Sequence, residues 1–385
     1  MLRPKTQINV ALLGFGNVGR AFARYVLVNC ETLSLPINIR AVADSSGALF
    51  LDDDSLESTL AHKDSGLSLA EFAPEHLIAD AHEFIRVLPS TRVSVLIESL
   101  PTDIISGEPA LSLIEAALAQ GTDVVTVDKG PVIHGLNELK EIASKSGARL
   151  GYSGTTGVTI PDEIAGDQVL EIRGVLNGTT NYILTEMQQH QRSFDEALAT
   201  AQTEGIAEPD SSLDIEGWDT ASKILILAKS LMQASSRLDE VSRIGIGPQT
   251  ESLMRIARET GRVVRLVGRA RIWNGRVRVS VAPKLIERNS PFYAASGTSK
   301  AAIFRTENRG EILATARSGR DAISRTITDD IEKIVREMNL SDHPAAIDVD
   351  YSGLLKSEKT SSKDNCGISS GSGSAPPLSK AREDI

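Results

Sequence analysis

Apolar residues fall in short, nearly solid runs through the first part of the chain and in longer mixed stretches through the second. Ile8–Leu13 (INVALL) is one such run ending at a glycine, which reads as a buried strand. Residues 18–28 follow with helical character. Ile37–Ala43 (INIRAVA), Val93–Ile97 and Val124–Val127 read as further strands, and Pro109–Ala119 carries apolar residues at helical spacing. Strands that alternate with helices predict a parallel sheet wound on both faces, an α/β unit covering residues 8–150.

The character changes after Gly151. Val169–Leu176, Arg262–Arg271 and Val277–Pro283 read as strands, and Asn181–Gln189, Phe194–Thr203 and Thr220–Leu231 as helices. Separate runs of strands and helices predict an α+β second unit. Ser318–Glu337 has the spacing of an amphipathic helix, and beyond about residue 351 the chain turns to Ser, Gly, Lys and Pro. Such a tail has too little apolar surface to offset the entropy of ordering, so residues 351–385 are expected to be disordered.

With 385 residues the chain is long enough for two domains. A formal charge of −10 argues against nucleic acid or an anionic membrane surface as partner, since both call for basic patches. Cys30 and Cys366 lie far apart, and the histidines show no HExxH pair, so neither a disulfide framework nor a catalytic zinc is expected. No apolar run reaches the ~18 residues of a membrane span, and Met1–Gln7 lacks the apolar core of a signal peptide. The cytoplasm is the expected compartment.

The turn after the first strand is Gly14-Phe15-Gly16-Asn17-Val18-Gly19. In a strand–turn–helix context this spacing has a mechanical reading. Gly14 permits a tight turn, Gly16 lets a pyrophosphate approach the backbone, and Gly19 lets helix and strand pack closely. The helix N-terminus then meets the phosphate charge with free N–H groups. The predicted fold is accordingly a Rossmann-type doubly wound sheet binding NAD or NADP. Asp44, at the end of the second strand, is placed to bond the adenosine ribose and would favour NAD. Ser45, Ser46 and Arg40 lie beside it and would suit a 2′-phosphate, so the choice of dinucleotide stays open. The plainer reading is that Asp44 caps a turn.

Residues 205–223 (GIAEPDSSLDIEGWDTASK) hold five carboxylates and a lysine and run directly into the apolar stretch Ile224–Leu231. Asp219 and Lys223 are four apart, on one face of a helix. Either they form an exposed ion pair of little energetic weight, or apolar neighbours desolvate the lysine toward the pKa range useful for proton transfer. Lys129 follows the strand Val124–Val127, at the edge where open α/β sheets bind ligands; the alternative is a surface lysine in a loop.

Asn177-Gly178-Thr179-Thr180-Asn181-Tyr182-Ile183-Leu184 resembles the NGTTNYIL segment of homoserine dehydrogenases. Gly205, Ala207, Glu208, Asp210, Asp214, Gly217, Asp219 and Lys223 resemble that family's second motif, G-x-A-E-x-D-P-x-x-D-x-x-G-x-D-x-x-x-K. The resemblance spans residues 8–340. It implies a dinucleotide-binding domain (1–152), a substrate and dimerisation domain (153–317) and a C-terminal helix (318–350) packing back on the first domain. It implies a homodimer and NAD(P)-dependent interconversion of L-homoserine and L-aspartate 4-semialdehyde, in threonine and methionine biosynthesis. By the same resemblance Lys223 donates the proton, Asp219 orients it and contacts substrate, and Lys129 lies near cofactor and substrate oxygen. Glu208 holds the substrate ammonium; Asp214, Gly178 and Thr179 belong to the substrate site. Ser99 lies beside the nicotinamide, and Gly205 and Gly319 approach the cofactor.

Several positions depart from the family pattern. Val127-Asp128-Lys129 stands where Ala-Asn-Lys is usual, and residues 153–161 (SGTTGVTIP) replace E-A-x-V-x-x-G-I-P. The missing glutamate removes the one charged side chain of the monovalent-cation site of some members, so metal binding is left unassigned. Val158 and Thr159 replace glycines and would narrow the site or change its substrate. Residues 316–320 (ARSGR) bring two cations where G-x-G-A-G is usual, and Ile206 replaces a common tyrosine. No kinase or ACT domain is recognisable, so threonine feedback is not expected. Two other readings are a reductase of another small amino-aldehyde or oxo acid, and a nucleotide-binding regulator without turnover. The joint presence of Lys129, Glu208, Asp219 and Lys223 argues against the second.

Overall fold

The computed structural model describes residues 7–52, 55–317 and 321–338; the expected disordered tail, Gly319 and Cys366 lie outside them. The first sheet contains β1 (Ile8–Leu13), β2 (Ile37–Asp44), β3 (Gly47–Phe50), β4 (Val95–Glu98), β5 (Asp123–Thr126) and β6 (Leu150–Gly151). Their order is β3-β2-β1-β4-β5-β6, parallel throughout except for the β2–β3 hairpin. β1 is flanked by β2 on one side and β4 on the other, so the chain reverses direction across the sheet there. A crevice opens beyond the carboxyl ends at such a point. Register sets Leu13, Glu98 and Thr126 level on adjacent strands, so the segments leaving β1, β4 and β5 emerge side by side.

The helices of this unit that bear on the site are α1 (Asn17–Asn29), α2 (Ser55–Asp64), α3 (Ala110–Ala119) and α4 (Lys129–Ser146). Val10, Leu12, Phe22 and Val26 pack on one face of the sheet, and Leu13, Leu96, Ile114 and Leu118 on the other. Lys129 does not sit in a loop: it opens α4, an 18-residue helix whose N-cap is Asp128. That helix was not anticipated, because its start, Lys129-Gly130-Pro131, reads as a turn. Yet Asp at the N-cap and Pro near the first turn are helix-starting signals.

The second sheet holds β7 (Val169–Val175), β8 (Ser242–Arg243), β9 (Val263–Trp273), β10 (Arg276–Ile286), β11 (Ser299–Thr306) and β12 (Gly310–Arg317). The order is β12-β11-β7-β9-β10-β8, antiparallel except for β8 against β10, so it is mixed. α5 (Gly178–Gln189), α6 (Phe194–Thr203), α7 (Trp218–Met232) and α8 (Thr250–Thr260) accompany it. One sheet face, with Ile172, Leu266, Ala302 and Phe304, packs on Ile224 and Ala228 of α7. Val132, Ile133 and Leu136 of α4 enter the same core, so α4 belongs to the packing of both units. α9 (Ala322–Glu337) returns to the first unit, where Ile327, Ile331, Ile334 and Val335 join the cluster that contains Val10 and Phe22. Among the described residues no helix is long and apolar enough to cross a membrane.

Candidate active site

The glycine turn has the geometry that its spacing predicts. Gly14 adopts φ +108°, and a Cβ there would stand 2.5 Å from the Ser99 carbonyl oxygen. A Cβ on Gly19 would stand 2.1 Å from the carbonyl oxygen of Gly14, which requires glycine for the close approach of helix and turn. Around Gly16, by contrast, a Cβ would meet nothing within 4 Å. The turn is thus locked on its inner side and open on its outer side, at the N-terminus of α1 where Asn17 and Val18 present backbone N–H groups. A dinucleotide pyrophosphate fits that open cradle. Ser99 closes the base: its Oγ donates to Gly14 O at 2.9 Å and its N–H to Leu13 O at 2.8 Å.

Asp44 is committed elsewhere. Its Oδ1 accepts from the Ser46 N–H at 2.8 Å and the Ser46 hydroxyl at 2.6 Å. Its Oδ2 accepts from Lys63 Nζ at 2.6 Å and the Leu69 N–H at 3.1 Å. Burial raises its pKa, but Lys63 and the Ser46 and Leu69 hydrogen bonds outweigh this and hold it below the usual carboxylate range. All four acceptor positions of the carboxylate are filled from within the chain. Asp44 therefore caps its turn and pairs with Lys63 at the end of β2.

At the carboxyl edge of the same sheet lies a cavity of about 310 Å³, lined by Thr102, Lys129, Thr179, Glu208, Asp214 and Asp219 among others. Residues widely separated in sequence reach it from different elements. Lys129 arrives on the first turn of α4, held by Asp128, whose Oδ1 accepts from the Gly130 N–H at 2.9 Å. Asn177 caps α5, accepting from the Thr180 N–H at 2.7 Å, and Gly178 and Thr179 form the first turn. Asp219 and Lys223 share one face of α7. Glu208 is exposed at the mouth, and Thr179 Oγ1 donates to Ile206 O at 3.2 Å. Gly205, with φ +69°, ends the turn after α6 with open space beside it.

Asp219 is the hub. Lys223 Nζ lies 2.5 Å from its Oδ2 and Lys129 Nζ 3.6 Å from its Oδ1. The Asn177 amide donates to Asp219 at 2.8 Å and to Asp214 at 2.5 Å. Lys223 also donates to Leu176 O at 3.1 Å. Burial pushes Asp219 up, but Lys223, Lys129 and Asn177 more than reverse it, so it stays ionised well below the usual range. Asp214 goes the other way: burial and the charge of Asp219 raise it against the Asn177 hydrogen bond. The pair Asp219–Lys223 is 13% exposed at each side chain, which discards the reading of a solvated surface ion pair.

One group beside this cluster carried no sequence signal. Lys300, on β11, is held to a pKa of about 8 by burial and by Lys223, against the attraction of Asp219. It stands alone in GTSKAA with no acid at helical or strand spacing, and only strand pairing brings it here.

The altered loop runs past Lys223. Val158 is buried in the second core and Thr159 lines another cavity, while a Cβ on the adjacent Gly157 would stand 3.2 Å from Lys223 Cδ and from Leu176 O. Ser153, in place of the usual glutamate, bonds Asp330 of α9 through its N–H at 2.9 Å and its hydroxyl at 2.6 Å. Ile206 does line the cavity. Among the described residues no group of three or more His, Cys, Asp or Glu is arranged to hold a metal ion.

Comparison with known proteins agrees with this geometry. The family model for the homoserine dehydrogenase NAD-binding domain matches residues 14–153, and that for homoserine dehydrogenase matches residues 158–331. The chain is 32% identical to a homoserine dehydrogenase of Methanocaldococcus jannaschii, over 80% of this chain and 93% of that protein. It is 30% identical to an NAD(+)-dependent homoserine dehydrogenase of Pseudomonas canavaninivorans, over 80% of this chain and 90% of that one. A structure of a hyperthermophilic archaeal homoserine dehydrogenase in complex with NADPH superposes with a TM-score of 0.69 at 26% identity, covering 86% of this chain and 99% of that one. With an NAD-binding domain ahead of a matched catalytic domain, and lysines from both converging on Asp219, the chain belongs to the homoserine dehydrogenase family.

Proposed function

We propose that the 310 Å³ cavity binds L-aspartate 4-semialdehyde or L-homoserine as a zwitterion against a nicotinamide held by the glycine turn. The observation that carries this reading is the pair of ammonium groups, Lys129 and Lys223, that share the Asp219 carboxylate across the two units. The bound dinucleotide supplies or takes the hydride at the carbonyl carbon. Lys223 donates the proton to the carbonyl oxygen, and its charge stabilises the oxyanion as it forms. Asp219 keeps Lys223 aimed. Lys129 lies on the cofactor side of the same oxygen. Glu208 and Asp214 face the substrate ammonium, while Gly178 and Thr179, at an α5 N-terminus, approach the substrate through backbone and hydroxyl. Gly14, Gly16, Asn17, Val18, Gly19 and Ser99 hold the dinucleotide, with Gly205 close to it and Asp44, paired with Lys63, at the end of β2 toward the adenosine ribose; Gly319 lies outside the described residues.

Both dinucleotides are entertained, since one relative is NAD(+)-dependent and another binds NADPH. We assign residues 1–152 to the dinucleotide domain, 153–317 to the substrate and dimerisation domain and 318–350 to the C-terminal segment that contains α9, Ala322–Glu337. A cytoplasmic homodimer working in threonine and methionine biosynthesis is the setting this activity implies.

The test is spectrophotometric. Purified protein with NADH or NADPH is given aspartate semialdehyde, and nicotinamide absorbance is followed. Loss of absorbance at catalytic rates supports the reading. Turnover confined to another amino-aldehyde or oxo acid replaces the substrate, and tight cofactor binding without any turnover indicates a regulator.

A further inference from the structure

The substrate proposed above carries three demands for charge. Its ammonium requires an anion, the oxygen that becomes alkoxide requires a cation, and its α-carboxylate requires another. The described groups around the cavity meet the first two: Glu208 and Asp214 are anions, and Lys223 is the proton donor. Lys129 and Lys223 are both drawn onto Asp219, which neutralises part of their charge. Gly178 and Thr179 at the α5 N-terminus offer the α-carboxylate neutral donors, and no cation is yet assigned to it.

Strand pairing brings Lys300 close to this cluster. β11 pairs with β7 so that Ala301 faces Val175 and Ala302 faces Gly174; continuing the ladder sets Lys300 opposite Leu176. Leu176 O is the carbonyl that accepts from Lys223 Nζ, and the next residue is Asn177, which holds Asp214 and Asp219. Side chains alternate along a strand, so Lys300 shares its face with Ala302 and Phe304. Those two pack in the core with Ile224 of α7, whereas Ala301 and Ile303 pack on the opposite side. Lys300 therefore stands on the α7 side of the sheet, at the end of its row nearest Lys223. Among the described residues its ammonium has no hydrogen-bond or ion-pair partner, in contrast to Lys129 and Lys223.

We propose that Lys300 is the substrate-binding residue that receives the α-carboxylate of the amino-aldehyde, and so selects amino acids over uncharged aldehydes. The proposal rests on the reading of the cavity given above. An ammonium that is partly desolvated, and pressed by two other lysines, is poorly solvated without substrate. An incoming carboxylate relieves both penalties. The pyrophosphate does not compete for this role, because the glycine turn and the α1 N-terminus already offer it donors.

The experiment compares wild type, Lys300→Met and Lys300→Arg on homoserine and on homoserine amide, in which the carboxylate is replaced by a neutral group. Wild type is expected to prefer homoserine. Lys300→Met should raise KM for homoserine tenfold or more, leave KM for the amide within about twofold, and keep the cofactor KM unchanged; Lys300→Arg should recover part of the loss. Equal loss on acid and amide, or no loss on either, overturns the assignment. A raised cofactor KM with an unaltered acid-to-amide ratio also overturns it, by moving Lys300 to the dinucleotide. Failure of wild type to oxidise homoserine at all would instead strike the reading of the cavity, and thermal melts of each variant separate loss of fold from loss of recognition.

Discussion

The Lys223 ammonium and the Asp219 carboxylate lie one helical turn apart on α7 and 2.5 Å from each other, each with only 13% of its side chain exposed. An ion pair held this close and this dry fixes the lysine in place, which is the positioning a proton donor needs. Lys223→Ala removes the donor and leaves the glycine turn untouched. Reduction of aspartate semialdehyde should fall by about 10³-fold, in the range of positioned acid–base catalysis. Cofactor affinity, read from nicotinamide fluorescence on titration, should stay within about twofold. Wild-type turnover in the variant would remove Lys223 from the role of proton donor.

Asp219→Asn tests the hub. The variant leaves Lys129 and Lys223 facing each other without their shared counter-charge, and breaking a buried pair on one side costs about 3 kcal/mol. Burial raises Asp219, but the lysines lower it further, so its folded pKa lies below the unfolded value. Its contribution to stability is accordingly present above the unfolded pKa of about 4 and is lost as pH falls through the folded value. The difference in unfolding free energy between wild type and Asp219→Asn, from urea titrations, should be full at pH 7 and shrink below pH ~4. A difference that is constant from pH 7 to pH 3 would show that Asp219 carries no such charge linkage.

Glu98 gives the opposite sign. It is fully buried at the end of β4, accepting from Thr126 Oγ1 at 2.5 Å and from the Leu100 N–H at 2.7 Å. Burial and the neighbouring Asp128 push its pKa up to about 8, so it folds as the neutral acid. A carboxyl with a raised folded pKa binds more protons folded than unfolded. Stability therefore declines as pH climbs from about 4.5 to about 8, at up to roughly 1.4 kcal/mol per pH unit. Glu98→Gln keeps the shape and abolishes the titration. Its stability between pH 6 and pH 8.5 should be flatter than that of wild type; parallel profiles would contradict the assignment.

Asn177→Ala removes two things at once. The α5 cap is lost, worth about 1 kcal/mol, and Asp214 and Asp219 lose the amide between them. Melting temperature should drop by several degrees, and kcat should fall more than cofactor affinity. If the melting temperature falls with kcat unchanged, Asn177 serves the helix alone.

Much of the first unit was legible because parallel strands buried on both faces leave solid apolar runs, as in Ile8–Leu13, and because the glycine turn has a fixed mechanical logic. α6, Phe194–Thr203, was likewise plain from its spacing. What escaped depends on partners distant in sequence. β12 lies at the sheet edge with alternate residues exposed, and its Gly310–Arg317 run looks like ordinary surface chain. Lys300 acquires meaning only when β11 pairs with β7 across more than a hundred residues. The acidic residue that ends β2 carries a partner that the sequence does not announce. Asp44 has the expected offset, but the cation that occupies it, Lys63, comes from α2, and no spacing rule connects the two.

That ion pair decides how the adenosine end should discriminate. Asp44 is 9% exposed with Lys63 Nζ 2.6 Å away, so the negative charge that would repel a 2′-phosphate is cancelled where it stands. With Lys63 present, the region past β2 offers a neutral pair and the hydroxyl of Ser45, while that of Ser46 is held by Asp44 and the Ala70 N–H. Lys63→Met uncovers the carboxylate, which still caps its turn through Ser46 and Leu69. The uncovered charge then opposes a 2′-phosphate and leaves a ribose hydroxyl a free acceptor. The ratio of KM for NADPH to KM for NADH should rise about tenfold, a change of ~1.4 kcal/mol in relative binding, while kcat with saturating NADH stays near the wild-type value. An unchanged ratio would mean that the dinucleotide's adenosine ribose lies away from Asp44, and that this pair serves only to join α2 to the end of β2.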